Sequence, residues 1–110
     1  MDTALKNLLD EIKKISGVKK VSVVSRTGMI VGGDTYENQD TFAAMTAIIL
    51  GAAETASSSI GNVKKVVITI EPNNILLLLP AGRRGILAIL AEEDISEKIR
   101  NLINKFKEMI

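Results

Sequence analysis

The sequence offers few side chains that could carry catalytic chemistry. It contains no Cys and no His, which excludes cysteine and histidine nucleophiles, imidazole bases and nearly all zinc sites, because the required groups are missing. Two carboxylates can supply an acid and a base, and Glu92, Glu93 and Asp94 stand together. They precede a predicted helix, however, where negative charge stabilises the N-terminal end of the helix dipole. We therefore predict that the protein is not an enzyme and has no metal site and no cofactor.

The glycines and basic residues do not indicate a binding site for phosphate or nucleic acid. Neither Gly32 and Gly33 nor Gly82 and Gly85 match the phosphate-binding loop, which needs Gly-x-x-x-x-Gly-Lys followed by Ser or Thr. The formal net charge is +1, and two Phe and one Tyr are the only aromatic residues that could stack on bases. Nucleic-acid binding normally requires more of both features. We therefore expect no nucleic-acid partner.

The length and composition are those of one small globular unit. With 110 residues, 46% of them hydrophobic, the chain can fill one core without disulfides or metals. We predict a single domain over residues 1–110. The N-terminus lacks the basic start and uninterrupted apolar stretch of a signal peptide, and no apolar run is long enough to span a bilayer. These features predict a cytoplasmic protein with no membrane insertion.

Periodicity predicts an amphipathic helix at each end of the chain. In the first, apolar residues at i, i+3, i+4, i+7 and i+10 form one stripe, with Asp2 or Thr3 as N-cap and Gly17 as stop. In the last, Asp94 and Glu97 have the spacing of a capping box. The two stripes consist of Leu5, Leu8, Leu9, Ile12 and Ile15, and of Ile95, Ile99, Leu102, Ile103, Phe106 and Ile110.

Between these helices the sequence predicts five strands and one further helix. The predicted strands comprise residues 18–25, 29–33, 64–71, 75–79 and 86–91. Gly28 lies in a three-residue connection typical of a hairpin between the first two. The last two strands are almost entirely apolar, which predicts central strands covered on both faces. With a helix at residues 41–60, the order is α-β-β-α-β-β-β-α, an α+β fold with a five-stranded, mainly antiparallel sheet and helices on both faces.

The helix predicted over residues 41–60 is apolar on two sides. At about 100° per residue, one side forms a complete stripe that is predicted to face the sheet. Its members are Phe42, Met45, Ile49, Ala53, Ala56 and Ile60. The opposite side, where a lone domain normally presents Lys and Glu to water, carries Ala44, Ala47, Ile48, Gly51, Thr55 and Ser58. This composition predicts that the second side is also covered by protein.

Gly51 indicates what covers that side. A glycine inside a helix costs roughly 1 kcal/mol relative to alanine, so its place between Ala47 and Thr55 favours close approach of another backbone. Since the other two helices are needed on the far face of the sheet, we hypothesise a second copy of this helix across a two-fold axis. The predicted dimer interface includes Ala44, Ala47, Ile48, Gly51 and Thr55. The alternative is that Ala and Gly are simply permissive residues on a partly exposed helix.

The strand predicted at residues 64–71 adds a second element to this interface. Edge strands are usually protected by charge, but here Lys64, Lys65 and Glu71 stand only at the ends. Pairing of this strand with its symmetry mate would merge two sheets into one. The predicted contact residues on the strand are Val66, Ile68 and Ile70.

Three segments together resemble the roadblock/dynein light chain family over almost the whole chain. They are the hairpin RTGMIV at residues 26–31, the alanine-rich helix FAAMTAIILGAAE at residues 42–54 and the strand ILLLLP at residues 75–80. The resemblance implies a roadblock/profilin-like sandwich that forms a homodimer with a merged sheet and paired central helices. It also implies binding of a Ras-like small GTPase, as a scaffold or regulator, on the surface that contains those helices.

The resemblance suggests which residues contact the GTPase, but some of these residues also have a simpler interpretation. Contacts are expected at Glu54, Thr55 and Ser58, while the other interpretation of Glu54 is an ordinary charge on the helix surface. Arg83 and Arg84 could suggest an arginine finger that stabilises charge in phosphoryl transfer, but two charges at a hairpin tip are more simply explained by solvation. We therefore predict a non-catalytic interaction module. The alternative function is a small-molecule sensor or a general scaffold, because sandwiches of this shape also form ligand pockets.

Overall fold

Helices and strands follow one another in the predicted order in the computed structural model, which describes residues 3–109. The helices are α1 (Thr3–Lys13), α2 (Gln39–Ala56) and α3 (Arg100–Met109), and a 3₁₀ turn at Ser96–Ile99 leads into α3. The strands are β1 (Val18–Ser25), β2 (Ile30–Gly33), β3 (Val66–Ile70), β4 (Asn74–Ala81) and β5 (Gly85–Ala91). The predicted N-cap Asp2 and the last member of the C-terminal stripe, Ile110, lie outside the described residues.

The five strands form one antiparallel sheet in the order β2-β1-β5-β4-β3. β5 lies at the centre, where Leu87 is opposite Val23 of β1 on one side and Leu79 of β4 on the other. β2 and β3 form the two edges. The prediction that the two most apolar strands are internal is confirmed, as is the predicted antiparallel α+β architecture.

Helices cover both faces of the sheet, two on one face and one on the other. α1 and α3 cover the first face, where Ile12 and Phe106 pack with strand residues such as Ile89 in the first core. α2 covers the second face, where Leu50 packs with residues such as Ala88 in the second core. Neighbouring strand residues point to opposite faces, so the uninterrupted apolar run of β5 supplies both cores at once.

Two glycines fix the β1–β2 hairpin. Gly28 has φ +88°, and a Cβ there would come within 3.0 Å of the Cα of Ala44, so the hairpin turn packs directly against α2. Gly33 has φ +90°, and a Cβ would lie 2.4 Å from the carbonyl oxygen of Val21. Residues other than glycine rarely adopt such φ values, so both positions need glycine.

The last helix begins later than the capping box predicts. Asp94 Oδ1 accepts a hydrogen bond from the backbone N–H of Ser96, two residues further on, at 2.9 Å, but the N-cap residue is Ile95, which makes no side-chain cap hydrogen bond. The first turn is nevertheless a 3₁₀ turn, and Glu97 contacts Arg100 instead of completing the box. The predicted apolar stripe is confirmed over the described part of the chain: Ile95, Ile99 and Phe106 are fully buried, and Leu102 and Ile103 are half-buried.

Candidate functional site

The outer face of α2 presents apolar side chains to the surroundings. Met45 and Ile48 are 46% and 57% exposed, and Ala52 and Thr55 follow along the same face, also exposed. We call these four residues the outer stripe of α2. The helix contains no Lys or Arg, and its carboxylates are Asp40 in the first turn and Glu54. The stripe therefore lacks the charges that normally solvate a surface helix.

The orientation of α2 differs from the predicted one. Its fully buried residues are Ala43, Thr46 and Leu50. The exposed members of the stripe that was predicted to face the sheet are Met45, Ala56 and Ile60. The predicted stripe is therefore wrong by about one residue, or roughly 100° around the helix axis, although Phe42 and Ile49 do pack against the second core. A helix with apolar residues on most sides has no clear hydrophobic periodicity. Because Thr46 is polar, the periodicity could not predict that it is buried.

α2 also ends earlier than predicted, at Ala56 rather than at residue 60. Residues 57–59 are all serine, which competes for backbone hydrogen bonds and favours turns over helix interiors. The N–H groups of Ile60 and Gly61 both donate to the carbonyl of Ser57, at 2.8 and 3.0 Å. Ser58, an expected partner contact, is therefore exposed in this turn and does not continue the helix.

The predicted interface residues of α2 lie at two depths. Ile48 and Thr55 are exposed, whereas Ala44, Ala47 and Gly51 are half-buried along the flanks, and Ala47 packs against the second core. A Cβ on Gly51 would meet no heavy atom within 4 Å. No segment of residues 3–109 thus makes the close approach predicted at Gly51, and that approach stays a prediction about a second molecule.

β3 provides an uncharged sheet edge beside α2. Val66 and Ile68 are half-buried against the second core, while Val67 and Ile70 are 43% and 40% exposed. The strand contains no charged residue. An open groove between the two elements is lined by residues of both, among them Ala53 of α2 and Val66. The groove therefore joins α2 to β3 through Ala53 and Val66, and no residue of the outer stripe lines it.

An ion pair ties α2 to the β1–β2 turn. Arg26 Nη1 lies 2.5 Å from Glu54 Oε1, and these side chains are 28% and 37% exposed. The N–H of Arg26 also donates to the carbonyl of Arg84 in the β4–β5 turn, at 2.9 Å. Arg26 Nε is buried and has no hydrogen-bond partner among the described residues. Sequence reasoning missed Arg26, although a carboxylate on an otherwise apolar helix was a signal that a cationic partner exists.

The remaining expected contact residues, Thr55 and Ser58, are at the surface, as are the two arginines of the β4–β5 turn. Thr55 Oγ1 donates to the carbonyl of Gly51 at 2.9 Å, which leaves the oxygen free to accept. Arg83 and Arg84 are both exposed. The backbone hydrogen bond between Arg26 and Arg84 places the β4–β5 turn and the β1–β2 turn at the same end of the sheet.

A small aromatic cluster anchors the start of α2. The rings of Tyr36 and Phe42 stack with their centroids 3.8 Å apart, and Lys20 Nζ lies 4.4 Å from the centroid of Tyr36. Burial, together with the negative charge of Asp34, raises the pKa of the Tyr36 hydroxyl to about 12. The cluster therefore has a packing role at neutral pH rather than an acid–base role.

Within residues 3–109, no three acidic side chains are grouped so that they could hold a metal ion. Among the helices of that range, none has both the length and the apolar character needed to cross a bilayer.

Comparisons with known proteins connect this fold to one family. The Roadblock/LC7 domain model matches residues 4–91, and no curated protein matches the sequence. MglB from Myxococcus xanthus superimposes with a TM-score of 0.85 at 14% identity, covering 97% of this chain and 94% of that one. A Roadblock/LC7 domain from Streptomyces avermitilis gives 0.75 at 18% identity, covering 94% and 92%. MglB in a tetrameric arrangement gives 0.77 at 17% identity, covering 96% and 84%. At these identities the likeness shows a shared fold.

Proposed function

Because the chain belongs to the Roadblock/LC7 domain family, we propose that it is a non-catalytic homodimeric module that binds a Ras-like small GTPase and regulates or scaffolds it. The observation that carries the proposal is the outer stripe of α2 beside the uncharged β3 edge. The outer stripe and β3 carry no charge, although a surface helix face and an edge strand normally do, and a groove joins α2 to β3. An apolar side of this kind is expected where protein covers protein.

A two-fold axis between two copies would cover both elements at once. In a symmetric interface the same patch is used by both subunits, so Ile48 and Thr55 of one copy would pack against the α2 helix of the other. Gly51 has open space around it, which allows a second backbone to come close. Val66, Ile68 and Ile70 lie on the strand that would pair with its mate and extend the sheet. The tetrameric arrangement of an MglB with this fold supports self-association.

The GTPase would dock on the surface that the paired helices create. Thr55 and Ser58 are exposed there and can donate or accept hydrogen bonds. Glu54 is engaged by Arg26, so its role in the complex would be to hold that guanidinium group at the border of the surface. The absence of Cys and His fits a role in which any chemistry belongs to the partner.

The test is binding of purified small GTPases from the source organism, each loaded with GDP or with a non-hydrolysable GTP analogue. We expect one of them to bind with a preference for one nucleotide state, and Ser58→Arg to abolish binding because a long charged side chain would occupy the docking surface. Val31→Arg is the matched control, since Val31 is 49% exposed on the opposite sheet edge. Equal loss of binding in both variants, or no binding by any GTPase, would reject the proposed function.

A further inference from the structure

A cavity of about 180 Å³ lies between α3, the end of β4 and the segment that leads into β3. Its inner wall is apolar and consists of Val63, Leu79, Pro80 and Ile103, all buried or half-buried. A water molecule occupies about 30 Å³ in the liquid. The cavity therefore has room for a group of several non-hydrogen atoms, which is the size of a small ligand or of one end of a larger one.

Positive charge is concentrated around the opening of this cavity. The cationic lining residues are Lys64, Lys65, Arg100 and Lys107. Among the lining residues within 3–109, Glu97 has the only carboxylate, and Ser96 and Asn104 add polar groups. The chain as a whole is nearly neutral, with a net charge of +1. The local excess is therefore a property of this site and not of the whole surface.

The contacts within the site leave part of that charge uncompensated. Lys65 Nζ is held by Asp94 Oδ2 at 2.5 Å and donates to Ser96 Oγ at 2.9 Å. Glu97 serves two cations at once, since it contacts Arg100 and lies 3.6 Å from Lys64 Nζ. Lys107 takes part in no ion pair found within residues 3–109. Within residues 3–109, Lys64 and Arg100 thus share the carboxylate of Glu97, and Lys107 is paired with none.

We propose that this cavity binds a small organic anion, in which a phosphate or carboxylate group is attached to a short apolar body. The anionic group binds Arg100 and Lys107, because a guanidinium group donates two parallel hydrogen bonds to such oxygens and an ammonium group adds a point charge. The apolar body lies against Pro80 and Ile103. Glu97 occupies the place of the anionic group in the unliganded protein and competes with it. This inference stands on the cavity and does not depend on a GTPase partner.

An apolar wall distinguishes this site from a plain group of surface lysines. Exposed lysines attract any anion weakly, and salt screens that attraction. A ligand that also buries an apolar body gains from the hydrophobic effect, which salt does not screen in this way. Propyl phosphate should therefore bind more tightly than inorganic phosphate, although both carry the same anionic group.

The test is titration of the isotope-labelled protein with inorganic phosphate, propyl phosphate and butyrate at constant ionic strength, followed by amide chemical shifts. We expect propyl phosphate or butyrate to shift residues around the cavity and to bind several times more tightly than inorganic phosphate. The stronger of the two identifies the anionic group as phosphate or carboxylate. Arg100→Gln and Lys107→Gln should each weaken binding at least about fivefold, by the loss of a charge-assisted hydrogen bond.

Two further variants make the test decisive. Glu97→Gln should strengthen binding, because the competing carboxylate is gone and the cations remain. Lys105→Gln is the matched control, since Lys105 is exposed on the same helix and does not line the cavity. All four positions are exposed, and an unchanged Tm for each variant excludes misfolding. The proposal fails, and the binding is that of an adventitious ion only, under any of three outcomes. Inorganic phosphate binds as well as both propyl phosphate and butyrate, Lys105→Gln weakens binding as much as Arg100→Gln, or Glu97→Gln has no effect.

Discussion

At the residue scale, Glu54 makes a contact within the chain that its position in the sequence does not reveal. A glutamate near the end of an apolar helix was open to two interpretations, a partner contact or an ordinary surface charge. It pairs with Arg26 across 28 positions of the chain, and this contact joins α2 to a hairpin turn. Patterns of local spacing contain no information on such distant pairs, so only the need for a cationic partner could have been inferred.

Asp94 provides a pH-dependent contribution to stability. Burial alone would raise the pKa of its carboxyl group, but hydrogen bonds from Lys65 and Ser96 and the charge of Lys65 lower it to about 2. In the unfolded chain the pKa is about 3.9. A depressed folded-state pKa means that the contribution is fully present above pH 4 and is lost as the pH falls towards 2.

We therefore predict that Asp94→Asn flattens the acid limb of the stability curve. The free energy of unfolding, measured by urea titration from pH 5 to pH 2, should fall less steeply in Asp94→Asn than in the wild type. Asp10→Asn is the control, because Asp10 is exposed on α1 and belongs to none of the ion pairs within residues 3–109. Identical slopes for wild type and Asp94→Asn would show that the Lys65–Asp94 contact does not persist in solution.

At the element scale, the sequence predicts strands better than it predicts the orientation of α2. β1 begins and ends where predicted, and β4 and β5 differ from prediction by at most two residues at each end. Turn residues mark the ends of each strand in the sequence. The alternation of apolar and polar residues, or its absence, indicates which faces of the strand are buried. α2 is apolar around most of its circumference, so its length and type could be predicted but its rotation about its axis could not. The cavity beside α3 also escaped prediction, because its cations come from segments far apart in the chain.

Gly51 allows the packing of α2 against a second copy to be tested separately from folding. A Cβ at this position meets no heavy atom of the described chain within 4 Å, and replacing glycine improves helix propensity by up to about 1 kcal/mol. We predict that Gly51→Leu leaves the fold intact and shifts the protein from dimer to monomer, because the side chain separates the paired helices. Sedimentation equilibrium measures the mass, and circular dichroism checks the fold.

Gly51→Ala is the graded control for this prediction. Alanine adds a single methyl group, so its effect on association should be smaller than that of leucine. A dimer of unchanged strength in Gly51→Leu would mean that α2 does not pack closely at this point, even if the protein self-associates through β3.

At the scale of the whole molecule, assembly should be visible in thermal stability. The wild-type mass should be twice the 11.9 kDa of one chain, and a low net charge does little to oppose association. When only the folded state dimerises, mass action makes Tm depend on concentration. We predict a rise of roughly 2–5 °C for each tenfold increase in protein concentration, measured by calorimetry between micromolar and millimolar protein.

The monomeric variant supplies the comparison for that measurement. Gly51→Leu should show a Tm that does not change with concentration, because its folding is unimolecular. If the Tm of the wild type also does not change with protein concentration, the homodimer is contradicted. The predicted single domain over residues 1–110 would then be a monomer.

The central place of β5 determines when a nascent chain can fold. β1 with β2, and β3 with β4, form two separate hairpins until β5 is inserted between them, and isolated two-stranded hairpins are at best marginally stable in water. During synthesis the ribosome releases β5 after the other four strands. The apolar faces of α1 and α2 therefore have no complete sheet to cover until residue 91 has left the exit tunnel.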